Sequence, residues 1–67
     1  MNTNQYFYID VFVYDNYHTI GTGTIESAFR PEDIVSKCRR YDFYRYFLDS
    51  KKELKEKMVE ILEIFNT

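Results

Sequence analysis

Tyr6-Phe7-Tyr8-Ile9-Asp10-Val11-Phe12-Val13-Tyr14 decides how this chain is read. The run is almost wholly β-branched or aromatic and holds a single charge, which makes it a strand. Side chains of a strand alternate between two faces. Phe7, Ile9, Val11 and Val13 form one face, suited to a core. Tyr6, Tyr8, Asp10, Phe12 and Tyr14 form the other, an apolar face with hydroxyl tips and one carboxylate. Two such faces on one strand both ask for a cover.

Outward from that strand, Asp15-Asn16-Tyr17-His18 is rich in turn formers, and His18 to Phe29 reads as a returning strand. Facing Tyr14 with Thr19 sets Val13 against Ile20. Continued unbroken, that register places Thr24 and Glu26 on the core face. One extra residue near Gly21-Thr22-Gly23 restores apolar partners, setting Ile9 against Ile25 and bringing Phe29 to the core side. Glycines inside a strand often mark such an insertion, so a β-bulge at Gly21–Gly23 is expected. The Gly-x-Gly lacks the third glycine, the following helix and the βαβ setting of a nucleotide-binding loop.

Pro31, Glu32 and Asp33 have the composition of a helix start. Ile34, Cys38 and Tyr41 then recur at helical spacing, predicting a helix from Pro31 to Arg40. In Tyr41-Asp42-Phe43-Tyr44-Arg45-Tyr46-Phe47-Leu48 neither periodicity yields a polar face. The preferred reading is an aromatic corner between two helices. The alternative is a third strand around 42–48, with Tyr41, Phe43, Arg45 and Phe47 facing away from Asp42, Tyr44, Tyr46 and Leu48. Ser50-Lys51-Lys52-Glu53 is a capping box. It opens a helix from Lys51 to Phe65, with Leu54, Met58, Ile61, Leu62 and Phe65 as its stripe and Glu53 poised to pair with Lys57. The expected fold is α+β: an antiparallel β-hairpin followed by two α-helices, ββαα, in one small domain.

The 67 residues are 45% hydrophobic and 19% aromatic, too apolar for a disordered chain. A domain of this size hides only about 60% of its unfolded surface, which favours self-association. One cysteine, Cys38, excludes an internal disulfide and a cysteine-rich zinc site. No signal peptide or membrane span is expected, which suggests a reduced, cytoplasmic setting.

Chemistry-bearing residues are few. His18 is the single histidine and is expected in a turn, without an oriented partner. Cys38 reads as a small buried hydrophobe on the first helix. No catalytic, cofactor-binding or metal-ligating set emerges, and an enzyme is not expected. Lys37, Arg39, Arg40 and Arg45 interleave with aromatics, the pattern of a nucleic-acid surface. However, the net charge is −2, and residues 1–29 hold three acids and no Lys or Arg. Phosphate affinity grows with the number of cations engaged, so this remains the alternative.

Protein–protein contact is the favoured reading, because tyrosine offers a rigid apolar body with a hydrogen-bonding tip. Its expected residues are Tyr6, Tyr8, Asp10, Phe12, Tyr14, Tyr44 and Tyr46, meeting a protein partner or a second copy in a homodimer. The Tyr-, Asn-, Lys- and Ile-rich composition and small size fit a phage or mobile-element protein that binds and inhibits a host protein; a structural homodimer subunit is the other alternative.

Overall fold

A computed structural model describes residues 2–65. Four strands, β1 (Asn4–Val13), β2 (His18–Ser27), β3 (Ile34–Lys37) and β4 (Asp42–Leu48), precede one helix, α1 (Lys51–Phe65). The strands form a single antiparallel sheet in the order β2-β1-β4-β3. The expected ββαα arrangement is therefore overturned: the described residues form four strands and one helix rather than two and two.

The sequence near Pro31 does hold helix-starting residues, but the fold uses them otherwise. Asp33 accepts the Phe47 backbone N–H at 2.9 Å, and the Arg30 guanidinium donates to the Phe47 carbonyl at 2.6 Å. These side chains continue the hydrogen bonding of β4 beyond the end of β3, which pairs Ile34 with Arg45. Ile34 and Val35, both β-branched, then suit a strand. A turn follows, closed by Cys38 N–H donating to the Tyr41 carbonyl at 2.9 Å. Cys38 is exposed in that turn, correcting its expected burial on a helix.

The aromatic corner is also corrected, in favour of the strand alternative. β4 is an interior strand, flanked by β1 and β3, which is why it shows no polar side. Tyr44, Tyr46 and Leu48 face α1; Phe43, Arg45 and Phe47 face away from it.

No bulge interrupts β2. The observed register sets Val13 against His18, Val11 against Ile20, Ile9 against Thr22 and Phe7 against Thr24 without a break. The bulge was needed only if every β2 residue on the α1 side were buried. β2 is an edge strand, α1 packs on β1 and β4, and Thr22 and Thr24 remain exposed at the margin. Phe29, expected at the core, is 82% exposed in the connection between β2 and β3.

The core lies between α1 and the centre of the sheet. Ile9, Val11, Leu48 and Ile61 are buried, ringed by Phe7, Val13, Ile20, Tyr44, Tyr46, Leu54, Met58 and Phe65. Full burial of a side chain such as Ile9 contributes roughly 1.5–3 kcal/mol. The helix forms as its sequence predicts. Ser50 Oγ accepts the Glu53 N–H at 3.3 Å, and Glu53 reaches back to the Asp49 N–H at 2.9 Å, one residue beyond the usual box. Leu54, Met58, Ile61 and Phe65 make the stripe, while Leu62 turns outward at 40% exposure. Lys57 pairs with Glu60, at 3.3 Å, instead of with Glu53.

Candidate functional site: the open aromatic face of the sheet

Among the described residues, one helix packs on one side of the sheet, and the opposite face is open except at its Tyr6 and Phe47 end. In an antiparallel sheet, residues directly opposite share a face. The uncovered face therefore collects Tyr6, Tyr8, Asp10 and Phe12 from β1. Thr19, Gly21, Gly23 and Ile25 of β2 lie on one side of them. Phe43, Arg45 and Phe47 of β4 lie on the other, with Ile34 and Ser36 of β3 beyond.

Its centre is an ion pair. Arg45 Nε donates to Asp10 Oδ1 at 2.5 Å and its terminal nitrogen to Oδ2 at 2.8 Å, a bidentate fork. The same guanidinium stands 4.4 Å from the Tyr8 ring centre and 5.8 Å from that of Phe43. The Asp10 hydrogen bonds, offset in part by desolvation, push the Arg45 pKa above its ordinary value, so it is a fixed cation. The pair is partly shielded, with side-chain exposures of 30% for Arg45 and 17% for Asp10.

Glycine makes this arrangement possible. Tyr8 and Gly23 are directly opposed, and the Tyr8 ring lies across the glycine where a Cβ would overlap its hydroxyl. Gly21, opposite Asp10, leaves the neighbouring position open. Gly23 is thus the floor under the Tyr8 ring.

From this centre an aromatic row runs to one end of the sheet. Phe12 packs against Phe43 at 4.8 Å and edge-on to Tyr41 at 5.5 Å. Tyr41 meets Tyr14 at 5.6 Å, and Tyr14 stacks on Tyr17 at 4.4 Å. Tyr8, Phe12, Tyr14, Tyr41 and Phe43 are half-buried, and Tyr17 is 58% exposed. At the opposite end Tyr6 and Phe47 are buried. Among the described residues, no buried side-chain nitrogen or oxygen lacks a partner.

Of the residues expected to bind protein, Tyr6, Tyr8, Asp10, Phe12 and Tyr14 come together here. Tyr44 and Tyr46 do not. They lie on the α1 side, their rings parallel at 6.4 Å, with the Lys57 ammonium 5.0 Å from the Tyr46 ring centre. The expected nucleic-acid residues also divide. Lys37, Arg39 and Arg40 are exposed at the β3–β4 turn, where Arg39 and Arg40 share a shallow depression with Tyr14 and Tyr41. Arg45 is engaged by Asp10. Sequence reasoning missed Tyr17, Tyr41 and Phe43 as members of the face. The odd-numbered alternation through 41–47 was the signal that places Tyr41 and Phe43 there.

His18 and Cys38 form no constellation. The imidazole stacks on Phe65 at 4.2 Å, at the start of β2, while Cys38 lies in the turn between β3 and β4. Among the described residues, no group of three or more His, Cys, Asp or Glu side chains is placed to hold a metal ion. No helix among them is long and apolar enough to cross a membrane. Compared with protein-family models, curated proteins and solved structures, the chain matches none of them.

Proposed function

We propose that this chain is a small non-enzymatic interaction module that binds another protein through the open aromatic face. One observation carries the reading: a contiguous row of half-buried rings, anchored by a partly shielded Asp10–Arg45 pair, lies on the sheet face opposite α1. Connected apolar surface of this kind marks interaction sites. Tyrosine and arginine are the residues enriched there. Half-buried rings held by their neighbours lose little further entropy on binding. In this reading Phe12, Tyr14 and Tyr41 are anchors, and Asp10 and Arg45 set orientation. In this reading the protein acts in the cytoplasm, as a phage or mobile-element inhibitor of a host protein.

The exposed Arg39 and Arg40 beside Tyr14 and Tyr41 favour a second reading, a single-stranded nucleic acid laid on the same row. Against it stand the Asp10 carboxylate at the centre and the net charge of −2.

Affinity capture from cells that make the protein tests the two together. The wild type and a Val59→Thr control on the outer face of α1 are expected to retain the same protein, and Phe12→Ala with Tyr14→Ala to lose it. Retention by all three overturns the first reading. The second requires salt-dependent binding of single-stranded DNA or RNA that weakens in Arg39→Ala with Arg40→Ala.

A further inference from the structure

The two edges of the sheet are built differently. Within antiparallel pairs, backbone bonds join alternate residues. Tyr14 N–H bonds the Tyr17 carbonyl at 2.8 Å, which fixes the phase of the β1–β2 ladder. Thr19, Gly21, Gly23 and Ile25 thus turn their amides and carbonyls toward β1. His18, Ile20, Thr22, Thr24 and Glu26 turn theirs to the free edge. The other edge, β3, spans only Ile34–Lys37 and includes a lysine. Where it ends, Arg30 and Asp33 occupy the exposed carbonyl and amide of Phe47. Short edges, lysines and such covers are the devices that prevent strand addition. β2 has none of them. It spans His18–Ser27 in regular register, without lysine, arginine, proline or bulge, and with Glu26 as its one acid.

We propose that the β2 edge pairs antiparallel with the β2 edge of a second copy, forming a two-fold dimer with one continuous sheet. The outward-facing residues select the register. Centring the two-fold axis on Thr22 sets Thr22 against its own copy and Ile20 against Thr24. His18 then faces Glu26, an imidazole opposite a carboxylate at both ends of the seam. This register overlaps the strands from His18 to Glu26, and it places no like charges opposite each other. The two-fold axis stands perpendicular to the sheet, so both helices lie on one side and both aromatic faces on the other. Those faces become neighbours across a strip floored by Gly21 and Gly23. The proposal does not depend on the protein-binding reading of the face, which it would double.

Sedimentation equilibrium of the full chain tests it, with far-UV circular dichroism as the fold control. Thr22→Pro removes an amide that points away from β1, leaving the β1–β2 ladder intact. Thr22→Lys puts two like charges at the axis and keeps the backbone unchanged. The wild type is expected to be dimeric. Each variant should raise the dissociation constant at least about tenfold with an unchanged spectrum, while Phe12→Ala remains as dimeric as the wild type. Should Thr22→Pro disturb the fold, Thr22→Lys decides alone. A wild type monomeric up to about 1 mM, or a Thr22→Lys variant that dimerises as the wild type does, overturns the proposal. So does a dimer that Phe12→Ala dissociates and Thr22→Lys leaves intact.

Discussion

On one side of β1, Ile9 and Val11 are shut beneath α1 at 0% and 2% exposure. On the other side of the same strand, Tyr8, Asp10 and Phe12 remain half-open among rings and one guanidinium. The chemistry differs as the cover does. The shut face is largely aliphatic and fits a helix stripe; the open face is aromatic, polar-tipped and holds an ion pair. The contrast separates residues packed beneath the helix from residues that we propose are available for contact.

Substitutions on the two faces sharpen this contrast by their size. The largest effect is expected from Ile9→Ala, about 2–5 kcal/mol, because deletion in a packed site removes transfer energy and leaves a cavity. For so small a domain that is a large share of the total, and urea denaturation should find a sharply lowered midpoint. Gly23→Val comes next, at up to about 1 kcal/mol, because its side chain meets the Tyr8 ring and must turn it aside, while the strand gains a β-branched residue. Its diagnostic is a change in the Tyr8 ring and Arg45 Nε–H resonances, while the methyl resonances of Ile9 and Ile61 keep their shifts. Tyr17→Ser is the smallest, below about 0.5 kcal/mol, since Tyr17 is 58% exposed and rests on Tyr14 alone among the ring contacts described. A cost above about 1 kcal/mol there would break the contrast, for the open row would then be holding the fold.

Part of this was legible before the fold was known. The two faces of β1 followed from alternation alone, and α1 from its capping box and stripe, because both signals are local. The helix expected from Pro31 to Arg40 failed for a non-local reason: Arg30 and Asp33 serve the backbone of Phe47, far along the chain. β4 was ambiguous because an interior strand has no solvent side to supply polar residues. The bulge at Gly21–Gly23 assumed a core that extends over β2, whereas α1 lies over β1 and β4. Only the pairing of Tyr8 with Gly23 gives that glycine its role. Four of the expected contact residues share a face because they alternate on β1, and Tyr14 follows one residue beyond its end. Tyr44 and Tyr46 do not join them because β4 turns its even-numbered residues toward α1.

The most direct measurement is site-specific photo-crosslinking in cells that make the protein, with a photoreactive phenylalanine at position 12 in one variant and position 59 in another. Phe12 lies within the aromatic row, and Val59 is 55% exposed on α1. A discrete protein adduct is expected from position 12 and none from position 59. An adduct from position 59 with none from position 12 would place the contact surface on the helix and contradict the role assigned to the open face.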